Sequence, residues 1–296
     1  MKCAAIDIGS NAVRLLVSRV EEVDGRPQAQ KLAYYRVPIR LGADVFSTGA
    51  VSDKRMSELT KAMKAFWHLM DVHGIDWFRA CATSAMREAT NAKAVLKHVK
   101  KRANVNIEII SGDEEADLIF SNFNAADFDQ DKDYLYIDVG GGSTELTLIR
   151  HGKRIKGKSF QLGTVRALQN QIPDGEWDAV NAYIGEISEP GRPLYAIGTG
   201  GNANRLQRLA LLPRQDAVSL KKLLKLSDAL ASASHKERMS RFHLKPDRAE
   251  VIVPAADIYT RVMQLAQATH MHVPKVGLSD GMVLAVYKAW KASEKG

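Results

Sequence analysis

The chain has little of what would place it outside a reducing compartment. Only two cysteines occur in 296 residues, Cys3 and Cys81, each inside an apolar run, so neither a disulfide framework nor a CxxC metal site can be built from them. No apolar run approaches the roughly eighteen residues of a membrane span. The opening segment MKCAAIDIGSNAV puts Asp7 and Asn11 where a signal peptide needs its apolar core. The expectation is a cytoplasmic protein with no membrane partner. The eight histidines show no zinc spacing, and the HMH of His270 to His272 reads as a strand. Neither a G-x-S-x-G elbow nor a His–Asp pair of the hydrolase kind is present, which leaves serine-nucleophile chemistry without support. Aromatic-rich RNA motifs and zinc fingers are missing too. The formal charge of +8 therefore reads either as a generally basic surface or as attraction for phosphate-rich partners, not nucleic acid. The basic run KHVKKR, Lys97 to Arg102, looks like a solvated helix end, where cations suit the dipole.

What is present describes a globular α/β protein of two domains: 45% apolar and 26% charged residues, with no low-complexity segment. An internal echo supports a duplication. AAIDIGSNAVRLLVSRV (Ala4 to Val20) and YLYIDVGGGSTELTLIRHG (Tyr134 to Gly152) align without a gap, matching Asp7 to Asp138, Gly9 to Gly140 and Arg19 to Arg150. Each reads as strand, tight turn, strand. Further strands are expected in 31–42, 77–83, 105–110, near Phe160 and over 193–198. Helices are expected after Ser52, at Asn91, at Ser111, from about Asn202, over 216–236, and at the end, where VPKVG supplies a last strand. The polar stretch NAADFDQDKD sets the boundary, giving domains 1–124 and 125–296, with the last helix free to pack back on the first.

Three glycine-rich turns follow strands: Gly9-Ser10-Asn11, Gly140-Gly141-Gly142-Ser143 and Gly198-Thr199-Gly200-Gly201. Bare backbone N–H groups can close on phosphate oxygens. Against this, a hairpin turn needs a glycine or two merely for φ > 0, but three glycines flanked by acids exceed that need. The third turn also fits GxGxxA from Gly198 to Ala203, with Asp216 downstream. A dinucleotide unit would continue into a strand, whereas 211–226 reads as helix. Asp138 and Glu145 stand seven positions apart on one hairpin, beside the glycines. Two anionic groups next to an anion site repel unless a hard cation such as Mg2+ lies between them. The plain alternative is a Glu145 facing solvent on an edge strand; Asp138, buried between Ile137 and Val139, is the less expected of the two to be idle. In SGDEEADLIF, Ser111 to Glu114 spells a capping box, which occupies Glu114 and leaves Glu115 without a structural task. Glu115 then suits a general base or is an ordinary exposed glutamate. Arg87, Arg166 and Arg40 could clamp phosphate or be surface residues.

Taken in order, AIDIGSNAVRLLV, IRLG, ATSAMREATNA, IISGDEEADLIF, YIDVGGGSTEL, LGTVR, IGTGGN and, more weakly, GLSDGM resemble the signatures of the Ppx/GppA phosphatase family. The resemblance implies two actin-like, ribonuclease-H-like domains with an interdomain active-site cleft. It implies an exopolyphosphatase releasing orthophosphate from inorganic polyphosphate, or a guanosine pentaphosphate phosphohydrolase. It puts the catalytic base on Glu115 and metal and phosphate binding on Asp138 and Glu145. With these go Asp7 at the metal and Ser10, Asn11, Arg87, Gly140, Gly141, Gly142, Ser143 and Gly200 at phosphate. Mg2+ or another divalent ion, a monovalent cation such as K+, and a homodimer are further expectations. Long relatives add C-terminal helical domains that do not fit in 296 residues, so shorter polyphosphates become plausible substrates. An actin-fold kinase or ATPase, and a non-catalytic sensor of polyphosphate or alarmones, stay open.

Overall fold

The computed structural model describes residues 1–123, 129, 131–210 and 217–294. The chain folds as two units, Met1–Phe123 with Val276–Gly296, and Asn124–Lys275. The expected boundary stretch lies largely outside the described residues, as does Asp216.

In the first unit, β1 (Lys2–Ile8) and β2 (Val13–Val23) form the opening hairpin, followed by β3 (Arg26–Val37), α1 (Leu41–Thr48), α2 (Asp53–Val72), β4 (Phe78–Ala82), α3 (Ser84–Glu88), α4 (Ala92–Ala103), β5 (Glu108–Ile109) and α5 (Gly112–Phe120). The sheet order is β3-β2-β1-β4-β5. β1 is buried from Cys3 to Ile8, which is why its sequence is a continuous apolar run instead of an alternation. Ser52 caps α2 by accepting the Arg55 amide.

The second unit repeats the plan. Its elements are β6 (Asp133–Val139), β7 (Thr144–Arg150), β8 (Lys153–Phe160), α6 (Thr164–Leu168), α7 (Glu176–Ile187), β9 (Leu194–Thr199), α8 (Gly200–Ala210), β10 (Ala217–Ser219), α9 (Leu220–Ser232), α10 (His235–Arg241), α11 (Pro246–Leu265) and β11 (His270–His272). The sheet order β10-β11-β9-β6-β7-β8 is the first sheet's order with β10 added at one edge. In both units the first three strands are antiparallel and the next two run parallel to the first. This is the actin-like, ribonuclease-H-like arrangement that the motifs imply.

Helix α12 (Leu278–Ser293) returns to the first unit. Asp280 caps it by accepting the Gly277 amide at 3.0 Å and pairs with Lys31 at 2.8 Å. Gly281 faces α5 so closely that a Cβ there would lie 1.7 Å from the Leu118 carbonyl oxygen. That close approach explains the glycine of GLSDGM.

Several sequence expectations shift. A strand, β10, follows α8, but it pairs antiparallel with β11, unlike the parallel strand of a dinucleotide unit. The last strand is His270–His272 and not VPKVG. Helix α11 escapes the periodicity reading because Pro254 interrupts it, yet its Ile252, Ala256, Tyr259 and Met263 are central to the second core. Among the described residues no helix is long and apolar enough to cross a membrane.

Candidate active site

The two hairpins carry the same ladder. In the first, Lys2 pairs with Arg19 and the register runs on to Asp7 opposite Arg14 and Ile8 opposite Val13. In the second, Asp133 pairs with Arg150, and Asp138 lies opposite Glu145 and Val139 opposite Thr144. Every rung of one matches a rung of the other at the offset seen in the sequence. The turns match too: the Gly9 amide donates to the Ala12 carbonyl at 3.1 Å and the Gly140 amide to the Ser143 carbonyl at 2.9 Å.

The rungs differ in charge where it matters. Asp7, 5% exposed, forms an ion pair with Arg14 at 2.5 Å. Asp138 instead faces a second acid. Like charges directly opposite on one sheet face are destabilising. Glu145 is 3% exposed, and its Oε1 accepts from the Ser143 hydroxyl at 2.7 Å and the Ser159 hydroxyl at 3.0 Å. β7 lies inside the sheet, between β6 and β8, so Glu145 is not on an edge facing solvent. Asp138 is the more open of the two acids, although its apolar neighbours Ile137 and Val139 suggest burial.

The glycine turn between them is braced from one side. The Gly140 carbonyl accepts from the Thr164 amide at 3.0 Å, and the Gly141 carbonyl accepts from the Val165 amide at 2.8 Å. The Gly142 carbonyl accepts from Arg166 Nε at 2.9 Å. Arg166 is buried beneath the turn, so it holds the turn from below and does not reach outward as a clamp. Gly163 permits this approach; a Cβ there would sit 2.3 Å from the Gly141 oxygen. With the carbonyls engaged, the amides of Gly141, Gly142 and Ser143 donate no bond among the described residues. Such a row of amides accepts an anion.

The third turn abuts Asp138. β6 and β9 run parallel with Asp138 beside Thr199, and α8 begins at the next residue. Gly200 has φ 85°, and a Cβ there would lie 3.0 Å from Asp138 Oδ1, so only glycine fits. Below it, the buried Tyr259 hydroxyl donates to the Thr199 carbonyl at 2.7 Å and accepts from the Val139 amide at 3.3 Å, joining β6 to β9 at this level. Tyr136 bonds the Thr199 hydroxyl. Burial, and then the charge of Asp138, push both phenols well above their ordinary range. Neither Tyr259 nor Arg248, which bonds Asn202 at the start of α8, shows a local motif that would have singled it out.

The first unit holds the remaining candidates. The Ser10 and Asn11 carbonyls accept from the Gly42 and Arg40 amides at 2.8 and 3.0 Å. Arg40 takes a left-handed φ of 62° to do so, a conformation costly for a residue with a side chain. The Ser10 hydroxyl is buried and makes no hydrogen bond among the described residues. Glu115 stands in the first turn of α5, and Arg87 Nη1 donates to its Oε2 at 3.0 Å. Glu114 behaves differently from expectation: Ser111 caps its amide at 3.1 Å, but its carboxylate pairs with Arg79 at 2.7 Å instead of closing a capping box. Burial raises the Cys3 and Cys81 thiols to about 11 and about 12, so both are protonated near neutral pH.

Among the described residues no group of three His, Cys, Asp or Glu side chains could hold a metal. The Asp138–Glu145 rung still fits Mg2+, which takes one or two carboxylates and fills its remaining positions with water and phosphate oxygen. Asp7 already has a guanidinium as its counter-ion, which makes it the poorest of the three acids for that purpose.

A model of the Ppx/GppA phosphatase family matches residues 16–289. Among curated relatives, a guanosine-5'-triphosphate,3'-diphosphate pyrophosphatase of Aeromonas hydrophila is 27% identical over 95% of this chain and 58% of its own length. The protein of that name from Vibrio parahaemolyticus is 28% identical with the same coverage. The chain thus spans 58% of the length of these relatives. Among solved structures, an exopolyphosphatase-like protein is 26% identical with a TM-score of 0.79, covering 96% of this chain and 97% of that one. A Cytophaga hutchinsonii exopolyphosphatase, 23% identical, also has a TM-score of 0.79, with 98% of each chain covered.

Proposed function

The chain belongs to the Ppx/GppA phosphatase family, and from that premise we propose that it hydrolyses terminal phosphoanhydride bonds, releasing orthophosphate from inorganic polyphosphate. The observation that carries this reading is the paired-acid rung of Asp138 and Glu145 beside the amides of Gly141, Gly142 and Ser143, which donate no bond among the described residues. Asp138 and Glu145 would hold Mg2+, which when bound offsets charge on the phosphoryl oxygens. The glycine-turn amides take the phosphoryl oxygens, with Ser10, Asn11, Arg87, Gly140 and Gly200 as further contributors at phosphate.

Glu115 takes the proton as a water oxygen bonds to the terminal phosphorus. The bridging P–O bond breaks, and its electron pair stays on the shortened polyphosphate. Positioned general bases contribute about 10²–10⁴-fold. Amides already fixed by their neighbours need no reorganisation as charge spreads over the phosphoryl group.

The name carried by the curated relatives favours a second substrate, guanosine pentaphosphate, losing its 5'-terminal phosphate by the same steps. Phosphate release with Mg2+ from tripolyphosphate, long polyphosphate, guanosine pentaphosphate and ATP tests both. Preferred release from a polyphosphate, reduced at least about 10²-fold in Glu115→Gln with folding intact, is expected. Saturable binding with no release under any divalent ion would leave a sensor, and transfer from ATP to an acceptor would leave a kinase.

A further inference from the structure

Arg87 and Glu115 each have a part in the proposed hydrolysis; their contact suggests a third. Arg87 sits on α3, just after β4, and Glu115 in the first turn of α5. Nη1 of Arg87 donates to the Ile110 carbonyl at 2.9 Å and to Glu115 Oε2 at 3.0 Å. Among the described residues its Nε and Nη2 donate to nothing. The side chains are 22% and 13% exposed, so neither is fully sealed from an incoming ligand.

A guanidinium is planar and carries five N–H donors in a fixed fork. Here one nitrogen is committed to the protein, and the edge formed by Nε and Nη2 keeps three donors. That edge matches two oxygens of a phosphoryl group. The Ile110 carbonyl, immediately before the capping residue Ser111, fixes where the rigid plane lies. The helix dipole favours negative charge in the first turn of α5 but gives a carboxylate no direction; the contact with Arg87 supplies one.

We infer that Arg87 is a positioning residue for Glu115 as well as a phosphate ligand, so that one rigid group sets the distance between the base and the phosphorus it serves. This rests on the reading of Glu115 as general base. Lysine cannot replace Arg87, because a single ammonium on a flexible stem offers no second edge.

The test compares Arg87→Lys and Arg87→Ala in phosphate release from tripolyphosphate, with calorimetric binding of tripolyphosphate measured in the Glu115→Gln background. A misplaced base costs about 10²-fold. Arg87→Lys is therefore expected to lose about 10²-fold in kcat with KM changed only a few-fold. In the Glu115→Gln background Arg87→Lys should weaken binding only a few-fold, and added guanidinium ion should restore part of the kcat of Arg87→Ala. A rise in KM at unchanged kcat would make Arg87 a phosphate ligand alone. Loss of kcat together with a lowered melting temperature in both variants, and no rescue, would make it a structural residue; either result overturns the inference. Full activity of Glu115→Gln would remove the base reading itself, and is read out independently of any Arg87 variant.

Discussion

Arg14 and Glu145 occupy the same rung of two superimposable hairpin ladders, one opposite Asp7 and the other opposite Asp138. At this rung the two halves of a duplicated plan differ in charge next to the glycine turn. With arginine there, the rung is a closed ion pair that needs nothing further. With glutamate there, two acids share a sheet face, a like-charge pairing that a bound cation would offset. This favours Asp138 and Glu145 over Asp7 as holders of the proposed metal.

Replacing Glu145 by glutamine keeps the shape and an oxygen for the Ser143 and Ser159 hydroxyls, while removing one of two opposed charges. The Mg2+ affinity of Glu145→Gln, read by calorimetry or by Mn2+ substitution, should fall by at least about 10–100-fold, the loss found for groups that only support a ligand. In EDTA its melting temperature should equal or exceed that of the parent, because the like-charge rung is relieved. A variant that loses stability in EDTA while binding Mg2+ unchanged would show that Glu145 is a packing residue.

The opposite experiment belongs to the first unit. Arg14→Met strands the Asp7 carboxylate, which is 5% exposed. Breaking a buried pair by removing one partner costs about 3–5 kcal/mol, and the 26% exposure of Arg14 puts the expected loss near the lower end, about 3 kcal/mol. Adding Asp7→Asn should recover most of it in urea unfolding, since the stranded charge is then gone. Failure of the second substitution to recover stability would mean that the cost lay in the lost arginine stem and not in the charge.

The glycine turns, the hairpin duplication and the fold class were legible because each depends on local chemistry: φ > 0, strand–turn–strand patterning, a repeated spacing. What was not legible depends on partners far along the chain. Nothing near Glu114 announces Arg79, and nothing near Val139 or Thr199 announces Tyr259, 120 and 60 positions away. That Glu145 lies deeper than Asp138 was not legible for a related reason. TELTLI reads equally as an edge strand or an inner one, and only β8, laid against β7 with Ser159 opposite Glu145, decides. Helix α11 was missed because Pro254 usually ends a helix, yet here its helix continues to Leu265.

The turn that offers amides to phosphate is held by a close approach only glycine permits, and two substitutions separate that claim from ordinary helix propensity. Gly163→Ala places a Cβ 2.3 Å from the Gly141 oxygen, so the turn or the start of α6 must move. Overpacking of this kind costs about 1–3 kcal/mol, and displaced amides should weaken tripolyphosphate binding along with it. Gly185, exposed within α7, has nothing within 4 Å of its added Cβ. Gly185→Ala should therefore stabilise the protein by about 0.5–1 kcal/mol, the ordinary gain from filling a helix interior, and leave binding unchanged. Melting curves and calorimetry on the two variants check both directions. Unchanged tripolyphosphate affinity in Gly163→Ala, despite a lowered melting temperature, would remove the Gly140–Ser143 turn from the phosphate site.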